Sequence, residues 1–268
     1  MHRTLSLAPI ALVLASCASH EDSSSSDVAD IRTEEVSYTA NGTDLKGYFA
    51  IPANAGGDVP GVLIVHEWWG HNDYVRSRAE QLARLGYAAF ALDMYGADKS
   101  ATHPDDATAF MNEVMGNYDR MEARFNAAVE VLNAQTGVDE RRTAAIGYCM
   151  GGAIVLRMAR GGADLDAVAS FHGAIGASAP ETAAPIRAQL LVCNGADDPF
   201  VTQEQITEFK TALSDVEMEF INYPGVVHGF TNPGATGKGE EFGLPLRYDA
   251  EADADSWRRM RELFEHAL

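Results

Sequence analysis

From residue 61 onward, short continuous apolar runs are each followed by a stretch of helical period. "PGVLIVH" precedes a segment with Val75, Ala79 and Leu82 on one face. "YAAFALD" precedes a helical pattern from Pro104 to Leu132, with Tyr118, Met121, Phe125, Ala128, Val129 and Leu132 on one side. "RRTAAIGY" leads into a helix expected from Met150 to Arg160, and "DAVASFHG" and "AQLLVCN" come next. A helix with Ile206, Phe209 and Leu213 leads to "VEMEFINY", and a last helix carries Trp257, Met260, Leu263 and Phe264. Strands apolar on both faces, interleaved with helices, predict an α/β fold with a mostly parallel central sheet covered on both sides. "EEVSYTA" and "TDLKGYFAI", joined at Asn41-Gly42, predict an antiparallel edge at the N-terminal end of the domain. Ligands of such sheets bind beyond the carboxyl ends of the strands, so the residues just after each strand are the candidates for chemistry.

The N-terminus reads differently. "MHRTLSLAPIALVLASC" has a charged start at Arg3, an apolar stretch from Leu5 to Ala15 and small residues before Cys17. The apolar stretch is too short to span a bilayer, as expected of a signal peptide. Leu14-Ala15-Ser16-Cys17 resembles a bacterial lipobox, which implies lipidation of Cys17 and a membrane anchor that does not span. "ASHEDSSSSDVAD" is polar and aperiodic, as a tether is. The expected organisation is a signal peptide over 1–16, a lipidated N-terminus and tether over 17–32, and one domain over 33–268. A bacterial cell-envelope location, on the periplasmic or surface side, goes with it.

Lys and Arg number 20 against 39 Asp and Glu, a net charge of −19. Such a surface repels phosphate backbones, so nucleic acid is not an expected partner. Of the three cysteines, Cys149 and Cys193 remain beyond the lipobox, each in or just after an apolar run. A disulfide between them is neither required nor excluded by the sequence.

Cys149 stands in Gly147-Tyr148-Cys149-Met150-Gly151, a nucleophile elbow with Cys where Ser is usual. The glycines allow a sharp turn and close helix packing, and a helix N-terminus favours thiolate. Alone, the motif fits a small buried cysteine equally well. After "AQLLVCN" comes Asp198, and after "VEMEFINY" comes His228. Nucleophile, acid and base in that order, each on a loop after a strand, form the pattern of the α/β-hydrolase triad. The strand "GVLIV" ends in His66-Glu67-Trp68-Trp69-Gly70-His71. Its two histidines are five apart on a strand end, not four apart on a helix, so no metal and no other cofactor is expected. This loop and the elbow would supply the backbone N–H groups of Trp68 and Met150 to an oxyanion.

"VHEWWG", "LDMYG", "GYCMGG", "GADDPFV" and "GVVHGF" together resemble the dienelactone hydrolase family of α/β-hydrolases, over nearly all of the chain from Glu35. The resemblance implies the α/β-hydrolase fold, with Cys149 as nucleophile, His228 as general base and Asp198 as its orienting acid. It also implies that Glu67 contacts the nucleophile and can accept its proton. The two arginines by which such enzymes hold a substrate carboxylate are absent: their places hold Ala97 and Asn232. Bidentate carboxylate recognition is what Arg does best, so dienelactone is not the expected substrate. Trp69, Tyr95 and Phe230, with Trp68, suggest an apolar substrate pocket.

The leading expectation is a carboxylic ester hydrolase acting on a small ester or lactone through a cysteine thioester acyl-enzyme. The alternative is a non-catalytic binding lipoprotein on the same scaffold, and a redox-sensing thiol is a third, without an evident resolving cysteine nearby. The sequence does not address oligomeric state. The lipobox has a direct test. Cys17→Ser is expected to release the protein from membranes in cell fractionation, and a protein that stays membrane-bound and unprocessed contradicts the lipobox.

Overall fold

The computed structural model describes residues 1–2, 30–176 and 185–268. The expected signal peptide beyond its first two residues, and the expected lipidated Cys17 and tether as far as residue 29, lie outside the described residues. Eight strands form one sheet in the order β1-β2-β4-β3-β5-β6-β7-β8. β1 (Ile31–Ala40) and β2 (Thr43–Pro52) are antiparallel about the turn at Asn41-Gly42, where both residues have positive φ (48° and 73°). β1 thus begins two residues before the expected domain boundary at 33. β2 pairs antiparallel with β4 (Ala88–Leu92). The remaining pairings are parallel and run through β3 (Val59–Val65), β5 (Val138–Tyr148), β6 (Ala167–Phe171), β7 (Gln189–Gly195) and β8 (Met218–Tyr223). This is the mostly parallel α/β sheet anticipated from the alternating pattern, and the α/β-hydrolase architecture that the family resemblance implies.

Helices cover both faces because the inner strands are apolar on both. α1 (Asp73–Arg84) and α7 (Ala250–Ala267) close one face, where Val75, Ala79 and Leu82 join the core that includes Met260 and Phe264. α3 (Tyr118–Asn133), α4 (Met150–Arg160) and α5 (Gln203–Ala212) close the other through Met121, Phe125, Ile154, Ile206 and Phe209.

The helical pattern from Pro104 to Leu132 is two helices, not one. α2 (Pro104–Met115) ends at Gly116, and the Asn117 side chain accepts the Arg120 N–H at 2.9 Å to start α3. An N-cap residue has extended backbone, so the axis cannot run straight through it. While α3 packs on the sheet, α2 carries Met111 and Met115 to the site described below. A helix the periodicity does not show, α6 (Ala235–Phe242), sits in the glycine-rich stretch after β8. Tertiary contact overrides its weak propensity: Phe242 packs on Trp69, and a side chain at Gly239 would meet the Leu246 carbonyl at 2.3 Å.

β3 connects outward to β4 and β5 outward to β6, on opposite sides. The carboxyl ends of β3 and β5 therefore flank the switch point of the sheet, where a crevice opens.

Candidate active site

The elbow turns at Cys149 with φ 55° and ψ −117°, between the end of β5 and the first residue of α4. Such a conformation is strained for a residue with a Cβ. It is possible because the glycines on either side let backbones touch. A Cβ at Gly151 would lie 2.2 Å from the Val65 carbonyl oxygen, and one at Gly147 would lie 2.1 Å from the Gly151 oxygen. The half-buried Cys149 side chain is thereby presented at the crevice. Cys149 and Cys193 are both free thiols, which answers the question the sequence left open.

The loops after β7 and β8 bring the other two members to it. His228 Nδ1 and Asp198 Oδ2 are 2.7 Å apart, both buried. The second Asp198 oxygen accepts the Phe200 N–H at 2.9 Å. Burial opposes charge on His228, but the nearby Cys149 sulfur and the Asp198 carboxylate outweigh it, so the imidazole pKa is raised. The two loops fit because Gly195 lies against the backbone of Val226, where a Cβ would come within 2.4 Å of its oxygen. Leu246 bridges to His228 from behind, and Arg247 donates its N–H to the His228 carbonyl.

Glu67 follows β3 and is buried, which raises its carboxyl pKa. It accepts a hydrogen bond from Asn232 Nδ2 at 2.6 Å. Asn232 stands where the family resemblance places an arginine. Its neutral amide satisfies the carboxylate and leaves no charge for a substrate. Ala97, at the other such place, donates its N–H to the Asp44 carbonyl.

A cleft of about 250 Å³ opens over Cys149. Trp68, Met111, Met115, Met150, Ala153, Ala174, Phe200, Leu244 and Leu246 line it together with Cys149 and His228. None of these carries a formal charge apart from the two reacting groups. Of the aromatics expected in the pocket, only Trp68 lines it. Trp69, Tyr95 and Phe230 are corrected to buried supports. Tyr95 Oη donates to the Trp68 carbonyl at 2.9 Å and touches Met150 Sδ at 3.2 Å, so it ties together the segment after β3 and the start of α4. Trp69 packs on Phe242 under Lys238, whose Nζ is 4.0 Å from the ring centroid. Phe230 lies edge-on to His172 and Tyr223. The histidines of the β3 end are taken up by backbone. His66 Nδ1 meets the Glu67 carbonyl at 2.6 Å, and its Nε2 accepts the Met94 N–H. His71 Nε2 meets the Ala91 carbonyl. Sequence reasoning passed over Met111 and Met115, on the broken helix, and Leu244 and Leu246, just after the unanticipated one. It also passed over His172, just past β6 beside the elbow, which no motif distinguishes.

The model of the dienelactone hydrolase family matches residues 45–268. The chain belongs to the dienelactone hydrolase family. A Synechocystis protein named "Putative carboxymethylenebutenolidase" is 30% identical over 259 residues, covering 89% of this chain and 98% of its own. The solved structure m3DLH is 36% identical with a TM-score of 0.83, covering 89% of this chain and 99% of its own. A dienelactone hydrolase-like promiscuous phosphotriesterase from metagenomic libraries is 35% identical with a TM-score of 0.82, covering 88% and 98%. Members of this family are thus named as hydrolases, and the elbow, acid and histidine loops lie within the matched region.

Cys193 offers an internal control for thiol reactivity. It is buried in β7, and burial pushes its pKa up to about 12. Iodoacetamide at pH 8 is expected to alkylate Cys149 at least about 100-fold faster than Cys193, because thiolate and access together set the rate. Peptide mapping over a time course measures both, and equal rates in the folded protein contradict an activated Cys149.

Proposed function

We propose that this protein hydrolyses neutral carboxylic esters or lactones through a thioester acyl-enzyme on Cys149. The observation that carries this reading is Cys149 facing the His228–Asp198 pair at the floor of an uncharged cleft. In the proposed reaction the Cys149 thiolate adds to the substrate carbonyl carbon, and the electron pair moves to oxygen. The Trp68 and Met150 N–H groups hold that oxyanion. The intermediate collapses with cleavage of the carbon–oxygen bond, and the His228 imidazolium gives its proton to the departing alkoxide. His228, now neutral, takes a proton from water as the water attacks the thioester. The acid leaves and the thiolate–imidazolium pair is restored. Asp198 orients His228 and supports its charge throughout. Glu67, fixed by Asn232, adds negative potential that favours the imidazolium.

The same neutral cleft suits a phosphotriester, the substrate class in the name of a relative 35% identical to this chain. Thiolate attack at phosphorus would displace the same kind of leaving group. The placement we propose is the bacterial envelope, with Cys17 as the lipid anchor. Among the described residues no helix is long and apolar enough to cross a membrane.

A charge-assisted hydrogen bond to a carboxylate contributes roughly 1.5–3 kcal/mol, or about one to two decades in specificity. This cleft has no lysine or arginine to make one. The p-nitrophenyl ester of butyrate is expected to show a kcat/KM at least about tenfold above that of the succinate half-ester, which shares the leaving group. Cys149→Ala should abolish turnover of both. A tenfold preference for the anionic ester, or full activity in Cys149→Ala, contradicts the reading.

A further inference from the structure

His172 is fully buried immediately after β6 and has a positive φ of 42°, uncommon for any residue but glycine. Both of its ring nitrogens are engaged. Nδ1 accepts the backbone N–H of Cys149 at 3.1 Å. That N–H is shared with the Phe171 carbonyl at 3.0 Å. Nε2 meets Thr231 Oγ1 at 2.8 Å, and Thr231 Oγ1 meets the Tyr74 hydroxyl at 2.7 Å. The Thr231 carbonyl is held in turn by Arg78 at 2.7 Å. The His172 ring also packs edge-on against His228, with centroids 5.1 Å apart.

We propose that His172 is a positioning residue, a fixed neutral strut that sets the distance between the Cys149 backbone and the loop carrying His228. Thr231 lies three residues beyond His228, so one ring spans the two loops that must meet. The proposal rests on the hydrolase reading only in assigning a reaction to that meeting; the geometry of Cys149 and His228 is its direct subject.

The tautomer follows from the partners. A backbone N–H can only donate, so Nδ1 bears no proton and Nε2–H donates to Thr231. Protonation of Nδ1 would set two donors against each other at the elbow. The groups facing the ring are His228, Arg78, Tyr74, Tyr148 and Cys149. Burial, with the positive charges of His228 and Arg78, keeps His172 well below the ordinary histidine range. Two histidines in edge contact are thus pushed in opposite directions, His172 toward its neutral form and His228 toward its charged one.

His172→Asn, His172→Gln and His172→Gly separate the strut from mere occupancy. Asn places a carbonyl oxygen where Nδ1 stands and tolerates positive φ. Gln reaches Thr231 but offers no acceptor to the Cys149 N–H. Gly relieves the backbone strain and offers nothing. Two readouts are taken, the rate of Cys149 alkylation by iodoacetamide and kcat against KM for p-nitrophenyl butyrate. Relative to wild type, Gln and Gly are expected to lose about tenfold or more in alkylation rate and in kcat, with KM within about twofold. Asn, which keeps the acceptor for the Cys149 N–H but lacks the Thr231 contact, is expected to lose about threefold. If Gly matches Asn, backbone conformation and not the acceptor is responsible, and the proposal fails. It fails equally if Gln matches Asn, or if all three keep the wild-type rates. Should the His172 variants not fold, Thr231→Val removes the far anchor alone. A several-fold drop in Cys149 alkylation supports the strut, and an unchanged rate overturns it. Rapid wild-type alkylation without ester turnover would count against the hydrolase reading, and the alkylation series would still decide this one.

Discussion

Helix α4 approaches strand β3 to within backbone contact, and the whole site depends on that approach. The Val65 carbonyl and the Gly151 backbone leave no room for a side chain between them, and Gly147 meets the first turn of the same helix just as closely. Val65 and Gly147 are direct partners in the β3–β5 ladder, so the contact is repeated at the end of two central strands. Only under that constraint does Cys149 take a backbone conformation that a free chain would avoid, with its side chain pointing into the crevice. A single added methyl at Gly151 would force strand and helix apart, a strain of roughly 1–3 kcal/mol by analogy with overpacked cores. The stability given up at the elbow is recovered in the packed sheet on either side of it.

Electrostatics at the site follow from a division of labour between neighbouring groups. The cleft is apolar, so charges brought into it are less screened than in water. Asp198 fixes the far side of His228 at 2.7 Å. Next to it, His172 is denied a proton by the backbone N–H it accepts. Glu67 accepts a hydrogen bond from the Asn232 amide. The sequence as a whole carries a charge of −19, but no Asp, Glu, Lys or Arg lines the cleft. The wall facing the substrate is thus uncharged even though the protein as a whole is strongly acidic.

What could be read in advance was whatever depends on neighbours in sequence. The elbow spells out its own geometry, because glycines at both sides of Cys149 serve a local turn. Asp198 and His228 were legible because each follows an apolar strand, and the sheet brings strand ends together. The strands from β3 to β8 announced themselves by continuous apolar runs. The break at Gly116-Asn117 was also present in the letters, as a helix-ending glycine before a capping asparagine, but the apolar stripe on both sides masks it. α6 was not legible, since four glycines lie between residues 234 and 243 and its helix is imposed by Trp69 and the Leu244–Leu246 segment. Aromatic residues near strand ends looked like pocket walls, yet Tyr95 and Phe230 serve as buried struts, a choice that only packing decides. His172 was hidden for another reason: its partner is a backbone N–H, which leaves no trace in the identity of residue 149. Asn232 appeared as a missing arginine, when its amide satisfies Glu67.

The central claim is that Cys149 becomes covalently acylated during turnover. Mixing the protein with p-nitrophenyl butyrate, quenching in acid within the first turnover and measuring intact mass and peptide masses tests it directly. The account predicts one butyryl group on the peptide that contains Cys149, appearing with the burst of p-nitrophenol and absent from Cys149→Ala. Release of p-nitrophenol with no acyl group on Cys149, or an acyl group on another residue that persists in Cys149→Ala, contradicts it.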